Sequence, residues 1–493
     1  MMLRFTQNIL PIRFVLVLLF SCSVFVHATY AQSLTNKLDR YVQERLDKSS
    51  IPGLAIAVVH NDTLLFSKGY GKTSANVPVT SNTPFAIASL SKAFTAMAIM
   101  QLVEAGRISL DVPVVQYVPS FSTEDNRAKS ITVRQLLHQT SGLADTGFPE
   151  LAFRQQPATL DEAMARFNVA RLVSEPGQQY HYHNPNYRLL AKIVEAVSHE
   201  PFAGYLQKHI FQPLHMTHTS DVSTTKSFYI GSDKIDHGHI FFLGKPVAVR
   251  EPDWFIDGAA GMHSTVNDMG HWLSLQLAHG RVGDTQLLSR ESMTLMHNPL
   301  PNISLHYGMG WIVRSDSSLY HSGILWTYSA EQILLTKDGY GVVMLFNSGI
   351  NPYVDYNSFL RGVTDILAGQ EPEIPTLPDW ILPIGVGLIL LLFIGLAIRR
   401  FFRINQWFQT YQQRPVWRSW FFLLVRLLPF VTFLLIPTLL TAISGRVLNW
   451  ERIFLMMPDG VIGFGLIALL NLAIAVTRLV QIFRSKRTAN VSL

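Results

Sequence analysis

Three long apolar segments follow residue 379 and constrain the fold more than any other feature of the chain. They run from Ile381 to Ile398, from Phe421 to Ile443 and from Gly460 to Val476. An apolar helix of about 20 residues crosses the hydrocarbon core of a bilayer, where the backbone must satisfy its own hydrogen bonds. Too little polar sequence surrounds the segments to cover them as buried core helices. The sequence therefore predicts three transmembrane helices within residues 380–484 and a short cytoplasmic tail, residues 485–493.

The charges between these segments predict their orientation. The second connection carries Arg446 and Arg452, which Glu451 and Asp459 balance. The first connection carries five arginines and no acid: Arg399, Arg400, Arg403, Arg414 and Arg418. Because basic connections stay in the cytoplasm, the first connection and the basic tail are predicted to lie inside. Arg426, within the second segment, is predicted to snorkel to the headgroups near that side.

The first 31 residues are typical of a secretory signal peptide, which we assign to residues 1–31. Two arginines precede an apolar run from Phe14 to Val26, and the small residues Ala28 and Ala31 offer cleavage sites. The following domain is therefore predicted to be exported to the periplasmic side of the cytoplasmic membrane, which agrees with the charge pattern. The single cysteine, Cys22, lies inside the signal, so no disulfide is expected in the exported domain.

Residues 32–370 form a candidate soluble domain, and a proline-spaced linker, residues 371–379, separates it from the apolar segments. Apolar periodicity and turn residues predict both helices and strands. The predicted elements are a helix at Leu38 to Leu46, a hairpin of Leu54 to His60 and Thr63 to Tyr70, strands after Tyr320 that include Gln332 to Thr336 and Gly341 to Phe346, and a helix at Asn357 to Leu367. The strands would form one antiparallel sheet.

The tetrapeptide Ser89-Leu90-Ser91-Lys92 opens an apolar helical pattern. Ser89 and Lys92 are one helical turn apart, which places a hydroxyl beside an amine. A serine hydroxyl is a weak nucleophile until a base takes its proton, and burial lowers the pKa of a lysine enough for it to serve as that base. The spacing predicts a nucleophile and its base.

Two later motifs add groups that suit the same chemistry. Tyr182-His183-Asn184 stands before a second apolar helical pattern and supplies a phenol and an amide. His321-Ser322-Gly323 stands at the edge of a predicted strand, and its glycine permits a close backbone approach. Each motif alone also fits an ordinary core aromatic, turn or strand-edge residue. Together and in order they predict an active site.

In this order, the three motifs resemble the S-x-x-K, Y-x-N and K-T-G (or H-x-G) signatures of the serine β-lactamase and penicillin-binding protein family. Residues 136–143 and His263-Ser264-Thr265 resemble two further stretches of that family. The resemblance covers roughly Leu34 to Leu367 and is nearest to the class C β-lactamase and D,D-carboxypeptidase branch. It implies an α/β fold: an antiparallel sheet with flanking helices, a helical subdomain between Lys92 and Leu206, and a site in the cleft between them.

The resemblance also assigns roles. Ser89 would attack a carbonyl, Lys92 and Tyr182 would exchange the proton, and the backbone N–H groups of Ser89 and Ile324 would form the oxyanion hole. The expected substrate-binding residues are Asn184, His263, His321, Ser322 and Gly323. His263 is expected to choose the residue on the acyl side of the cleaved bond; a structural histidine at a strand end is the alternative.

The third motif bears on the substrate. A lysine there would hold a permanent positive charge for a substrate carboxylate, whereas a histidine is mostly neutral at pH 7. Efficient β-lactamase activity is therefore not expected, and a peptidase, amidase or esterase that acts through an acyl-enzyme fits better. A penicillin-binding D,D-carboxypeptidase and a sensor that is acylated but not hydrolysed stay open.

An exported domain followed by three transmembrane helices further resembles the prodrug-activating D-asparaginyl peptidases of the colibactin-maturation type, which remove an acyl-D-asparagine leader. Asn184 departs from that type, which has a serine there, and Ile324-Leu325 offers no side-chain amide. The expected partners are a small peptide or acyl-peptide substrate and the lipid bilayer, with the oligomeric state open.

Other ligands are not expected from the sequence. The net charge of +6 comes in large part from arginines beside the apolar segments, so no nucleic-acid partner is predicted. Neither a cofactor nor a metal is expected. His181 and His183, and likewise His237 and His239, alternate near no acidic cluster and are interpreted as surface histidines.

Overall fold

The computed structural model of the protein describes residues 32–491 apart from residues 154, 232–233, 302, 304–305, 412 and 414, and it describes side chains as far as residue 485. The predicted signal peptide, residues 1–31 with Cys22, lies outside the described residues. So do residues 492–493 of the predicted tail.

Strands and helices alternate irregularly along the described chain. The strands are Gly53–His60 (β1), Thr63–Gly71 (β2), Phe85–Ala86 (β3), Ser220–Asp221 (β4), Gly238–Phe242 (β5), Lys245–Val249 (β6), Met262–Ser264 (β7), Arg281–Val282 (β8), Thr285–Gln286 (β9), Ile312–Val313 (β10), Leu319–Ile324 (β11), Ser329–Leu335 (β12) and Tyr340–Phe346 (β13). The α-helices are residues 32–47 (α1), Ser91–Glu104 (α2), Val133–Leu137 (α3), Leu160–Arg166 (α4), Asn184–Ser198 (α5), Phe202–Leu206 (α6), Val266–Leu277 (α7), Arg290–His297 (α8), Tyr356–Leu367 (α9), Ile381–Phe402 (α10), Ile404–Tyr411 (α11), Val416–Ser444 (α12), Trp450–Met456 (α13) and Pro458–Val491 (α14).

A six-stranded antiparallel sheet with the order β10-β11-β12-β13-β1-β2 forms the centre of the domain. Successive side chains of a strand point to opposite faces. In β1, Leu54, Ile56 and Val58 pack in one cluster with α1 and α9, and the small residues between them pack on the opposite face, where α7 crosses β1. The predicted hairpin and antiparallel sheet are confirmed, as is the α/β fold class.

The helical subdomain extends from α2 to α6, and α2 lies at its centre. Eleven of the fourteen residues of α2 are buried, which explains why this stretch is apolar on all sides rather than amphipathic. Helices α5 and α6 pack against α2. Because the Ser89 turn that precedes α2 also contacts β11 and β12, the junction between the sheet and the subdomain holds the predicted site residues.

Helices α10, α12 and α14 are long and apolar enough to cross a membrane, with 22, 29 and at least 28 residues. Their bounds enclose the three segments predicted from hydropathy. Arg426, for which snorkelling to the headgroups stays a prediction, donates from Nη1 to Asn471 Oδ1 of α14 at 3.0 Å. Since an unpaired polar group in hydrocarbon is costly, this contact satisfies part of a charge that lies between α12 and α14.

The linker, residues 371–379, is attached to the domain at its far end. Arg45 Nη1 of α1 donates to Asp379 Oδ2 at 3.1 Å, and the Arg45 side chain is only 2% exposed. The Asp379 backbone N–H donates to the Lys48 carbonyl at 2.9 Å. Ile374 packs on the cluster of α1 and α9. The linker therefore fixes the position at which α10 begins.

Candidate active site

Ser89 lies on a tight turn, Ala88–Leu90, that joins β3 to α2. Ala88 has φ of +49°, in the left-handed region that an L-residue rarely adopts and that costs roughly 1–3 kcal/mol. Neighbouring contacts hold this strained turn: Ser91 Oγ donates to the Ala88 carbonyl at 2.6 Å and accepts from the Met262 backbone N–H at 3.2 Å. The turn presents the Ser89 hydroxyl to the cleft.

Lys92 is fully buried and its amine reaches three oxygens. Lys92 Nζ lies 3.1 Å from Ser89 Oγ, 2.9 Å from Asn184 Oδ1 and 2.8 Å from the Ala259 carbonyl oxygen. Burial, followed by the positive charge of Arg446, holds the pKa of Lys92 well below its usual value. A neutral amine has two N–H donors, which suit the two carbonyl oxygens. Its lone pair can then accept the Ser89 proton.

Tyr182 precedes α5 and places its phenol at the same hydroxyl. Burial raises the pKa of Tyr182 to about 12, and a hydrogen bond with Ser89 and the charge of Arg446 oppose that rise. The phenol is therefore protonated at neutral pH and can donate a proton. Lys92 Nζ stands 4.9 Å from the centre of the Tyr182 ring, a distance at which the ring face stabilises a cation.

Asn184, the first residue of α5, is oriented by a buried ion pair that the sequence analysis did not single out. Its Nδ2 donates to Glu150 Oε1 at 3.0 Å, which leaves Oδ1 to accept from Lys92. Glu150 pairs with Arg188 of α5, and both side chains are almost fully buried. The signal that could have found this pair is Arg188 within an apolar helical pattern, because a buried charge requires a partner.

The third motif lies on β11, which is pressed against the Ser89 turn. A Cβ atom at Gly323 would overlap the Ile87 carbonyl oxygen, so glycine is required for this approach. His321 is buried, with Nδ1 2.7 Å from the Ser322 carbonyl and Nε2 3.4 Å from the hydroxyl of Tyr307. Burial and then the charge of Lys92 lower the pKa of His321 to about 3. His321 is therefore neutral at physiological pH.

A cavity of about 340 Å³ opens at this junction. Its lining includes the predicted site residues Ser89, Tyr182, Asn184, His321, Ser322 and Ile324. Lys92 lies directly beneath Ser89, and Gly323 supports the same wall through its contact with Ile87. The backbone positions expected for the oxyanion hole, Ser89 and Ile324, thus border one cavity; their role stays a prediction.

His263 is not among the residues that line the cavity. It lies on β7, paired with Ala86 of β3 on one side and with Ser220 of β4 on the other. Its Nε2 is 2.9 Å from Ser220 Oγ, and its ring meets Phe228 edge to face at 5.9 Å. This geometry favours the alternative of a structural histidine, although His263 lies in the middle of the central strand rather than at a strand end.

The interpretation of four histidines as surface residues is wrong for two of them. His183 is fully buried, and its Nδ1 lies 3.0 Å from Asp145 Oδ1. His239 is buried on β5, with Nδ1 2.8 Å from the Asn347 carbonyl. Both occupy positions that face the core rather than solvent, which alternation in sequence alone does not reveal. His181 is partly exposed and His237 is exposed.

The antiparallel sheet and the helical subdomain, with Ser89 and Lys92 at their junction, define the α/β fold of β-lactamase-like serine hydrolases. A family model described as β-lactamase matches residues 38–364. The chain therefore belongs to the β-lactamase family. The match covers the sheet and the helical subdomain and stops before α10.

Curated relatives agree with this family. Protein flp of Staphylococcus aureus (strain N315) is 32% identical over 322 residues, which is 63% of this chain and 62% of that protein. This chain thus aligns with less than two thirds of the length of these first relatives. A protein of Escherichia coli O157:H7, named provisionally as a D-alanyl-D-alanine carboxypeptidase, is 24% identical over 65% of this chain and 83% of its own length.

Solved structures show the same fold. The octameric penicillin-binding protein homologue from Pyrococcus abyssi superposes with a TM-score of 0.58 and 26% identity, over 69% of this chain and 78% of that chain. EstCE1, a hydrolase with promiscuous acyltransferase activity, also has a TM-score of 0.58, at 20% identity, over 69% of this chain and 99% of that one. The second likeness concerns the fold alone.

Proposed function

We propose that the protein is a membrane-anchored serine peptidase or amidase that forms an acyl-enzyme on Ser89 and cleaves next to a D-amino acid. The observation that carries the proposal is the Lys92 amine, which is buried, has a strongly lowered pKa and lies 3.1 Å from Ser89 Oγ. A neutral amine at hydrogen-bond distance is what a general base needs. Family membership supports the same chemistry.

Acylation would proceed through three proton transfers. Lys92 accepts the Ser89 proton as Oγ bonds to the substrate carbonyl carbon, and the carbonyl oxygen gains a negative charge between the N–H groups of Ser89 and Ile324. Tyr182, protonated at neutral pH, then gives its proton to the leaving nitrogen as the carbon–nitrogen bond breaks. The proton on Lys92 then passes to the Tyr182 oxygen, which restores the neutral amine and the protonated phenol.

Hydrolysis of the acyl-enzyme would reverse these roles. A water molecule enters the cavity, gives a proton to the neutral Lys92 amine and attacks the ester carbon. The carbon–oxygen bond to Ser89 breaks, and Oγ recovers the proton. A protein that is acylated but lacks this second step would be a sensor rather than an enzyme. The kinetics of the adduct therefore separate these two functions.

The neutral His321 bears on the substrate class. Its pKa of about 3 deprives the third motif of the cation that a lysine would supply, which favours a peptidase, amidase or esterase over an efficient β-lactamase. The name of the Escherichia coli relative supports a D-amino acid beside the cleaved bond. Removal of an acyl-D-asparagine leader is the narrower form of the proposal. The Asn184 amide is already bonded to Lys92 and Glu150, and His263 lies outside the cavity lining. Neither residue therefore offers a direct contact to a D-asparagine side chain.

For the location of the site, we propose the periplasmic side of the cytoplasmic membrane. The arginines between α10 and α12 favour a cytoplasmic first connection, and helices α10, α12 and α14 are long enough to span. With three spans, the domain before α10 and the connection after α12 would then share the outer side. Labelling of Ser89 in intact cells by a membrane-impermeant probe would test this location.

Covalent labelling of the full chain tests the acyl-enzyme. A fluorophosphonate probe should add to Ser89, and Ser89→Ala should lower labelling and turnover by about 10³-fold or more, because the nucleophile is lost. Ser120→Ala is the control, since it removes an exposed hydroxyl outside the cavity lining and should still yield an adduct at Ser89. Mass spectrometry of the labelled peptide identifies the site.

The labelling experiment also tests the assignment of the nucleophile. An adduct that persists on Ser89→Ala would contradict the assignment of Ser89. Acyl-D-alanyl, acyl-D-asparaginyl and acyl-L-alanyl amides of one acyl chain then define the substrate by their kcat/KM. A stable acyl adduct without product release would establish the sensor, and a preference for the L-substrate would refute the D-amino acid.

A further inference from the structure

The chain between α12 and α14 forms one wall of the active-site cavity. Arg446, Leu448 and Met456 of this segment, and Ser444 at the end of α12, line the same cavity as Ser89. We call residues 445–457 the α12–α14 connection. The family model matches residues 38–364. The residues of the connection that line the cavity therefore lie outside the matched span.

Packing holds this connection against the domain. Leu455 of α13 is buried in one cluster with Ile240 of β5 and Trp326, which follows β11. The Arg452 guanidinium lies 5.3 Å from the Trp326 ring centre, and its Nη2 donates to the Asp253 carbonyl at 3.4 Å. The wall is therefore a packed surface with a defined position above the cleft.

Arg446 is the charged group that this wall brings to the cavity. Its Cζ atom lies 5.5 Å from the Tyr182 ring centre, and its side chain is 32% exposed. Within the described part of the chain its nearest carboxylate is Asp145, at 3.9 Å from Nε. The other carboxylate oxygen of Asp145, Oδ1, lies 3.0 Å from His183 Nδ1. A guanidinium has five N–H donors, so this long contact leaves donors for another ligand.

No other described residue of the cavity lining carries a permanent charge that could compete with Arg446 for a substrate anion. Among the lining residues that the structure describes, Arg446 is the only lysine, arginine, aspartate or glutamate. His321, in the place of the usual motif lysine, is neutral because burial holds its pKa at about 3. Lys92 is directed to Ser89, Asn184 and Ala259. A substrate anion would therefore find Arg446.

Tyr182 shows which half of the substrate Arg446 would meet. In the proposed function, on which this inference rests, Tyr182 protonates the leaving group, so the leaving half lies beside its ring. We propose that Arg446, on the α12–α14 connection, binds a carboxylate on the leaving half of the substrate. The membrane part of the chain thereby supplies the specificity of the site, and the substrate class is an acyl compound whose released half is acidic.

Two aryl esters of one acyl group test this proposal in the full chain in detergent or nanodiscs. One releases meta-hydroxybenzoate and the other its uncharged carboxamide. The wild type should prefer the carboxylate ester in kcat/KM, mainly through KM. Arg446→Gln should reduce that preference by about tenfold or more, because a charge-assisted hydrogen bond is lost, and Arg446→Lys should keep part of it.

Arg250→Gln is the matched control. Arg250 also stacks on a tyrosine, with Cζ 5.2 Å from the Tyr229 ring, but it is exposed and outside the cavity lining. This variant removes the same charge from the molecule and should leave the preference between the esters unchanged. An equal change of preference in Arg250→Gln and Arg446→Gln would assign the effect to overall charge and overturn the proposal.

The remaining outcomes separate this inference from the proposed function. Equal slowing of both esters in Arg446→Gln would mean that Arg446 acts only through the Lys92 pKa, and a wild type without preference would mean that no carboxylate binds there. Either result overturns the inference while Ser89 acylation stands. Failure of either ester to acylate Ser89 would instead refute the proposed function and this inference with it.

Discussion

The two sides of the cavity are built differently. One side, the motif cluster, consists of Ser89, Lys92, Tyr182, Asn184 and His321, all on elements that pack into the core of the domain. The other side is the α12–α14 connection, which reaches the domain through Leu455, Arg452 and a few neighbours. The motif cluster needs fixed sub-ångström geometry for proton transfer. The connection needs only to present a charge, so a smaller contact suffices.

This difference suggests a division of labour. The groups to which we assign the proton transfers, such as Lys92 and Tyr182, lie where burial shifts their pKa values and rigid elements hold them. The group that we infer to select the substrate lies on a segment between two membrane-type helices. Substitutions in the motif cluster should therefore reduce all reactions and stability together, whereas changes in the connection should alter the choice of substrate.

The largest effect is expected at the buried ion pair beneath the motif cluster. Arg188→Met leaves Glu150 buried without its cationic partner, which should lower the free energy of unfolding by about 3–5 kcal/mol. Activity should fall as well, because Glu150 orients Asn184. Denaturant unfolding of the purified protein and labelling of Ser89 measure the two effects.

A double variant provides the control for this prediction. Arg188→Met with Glu150→Gln removes both charges and retains an amide that can bond to Asn184. It should recover much of the lost stability, since the penalty comes from the unpaired charge. Equal stability of wild type and Arg188→Met would show that the pair is not a support of the motif cluster.

Sequence reasoning identified the motif cluster because its members stand at short, fixed spacings that the family signatures share. The fold was also accessible, since period-2 strands such as β1 and uniformly apolar α2 follow local rules. The role of Glu150 could not be predicted, because no sequence pattern links it to Asn184, which lies 34 residues further along the chain. Arg446 was read only as a loop charge that Glu451 and Asp459 balance, since nothing local shows that α13 packs on Trp326.

His263 illustrates the same limit from the other direction. The motif around it predicts a pocket residue, and the structure places it outside the cavity lining; its role stays a prediction. The register of a three-stranded sheet decides where its side chain lies, and one position of register moves a side chain to the other face. The likewise buried His183 lies beside Asp145, which is 38 residues earlier in the sequence. Tertiary pairing of this kind is not encoded in neighbouring residues.

An intermediate effect is expected when the α12–α14 connection is removed. A chain truncated after Trp380 keeps Asp379 beside Arg45 and loses all three membrane-type helices. It should fold, and its kcat/KM on the uncharged ester should stay within about tenfold of the full chain, because the motif cluster belongs to the domain. Its preference for the carboxylate ester should fall about tenfold or more, as in Arg446→Gln.

A second truncation, after Gly369, sharpens this experiment. It removes Asp379 and leaves the buried Arg45 without that carboxylate, so it should unfold at lower denaturant concentration than the chain that ends after Trp380. Selectivity should be the same in both truncated chains. If the uncharged ester is also lost in both, the motif cluster depends on the connection, and the division of labour is refuted.

The smallest effect on selectivity is expected at His263. Since its Nε2 contacts Ser220 Oγ and it lies outside the cavity lining, His263→Gln should change the preference between D-asparaginyl and D-alanyl substrates by less than about twofold. Stability should fall by about 1 kcal/mol, the usual net value of one buried hydrogen bond. Ser220→Ala should produce a similar loss, because it removes the other partner of the same bond. A specificity change of about 100-fold in His263→Gln, with Ser220→Ala unaffected, would instead place His263 among the residues that choose the acyl side. In that case selectivity would reside on both sides of the cavity, and the α12–α14 connection would be only one of its sources.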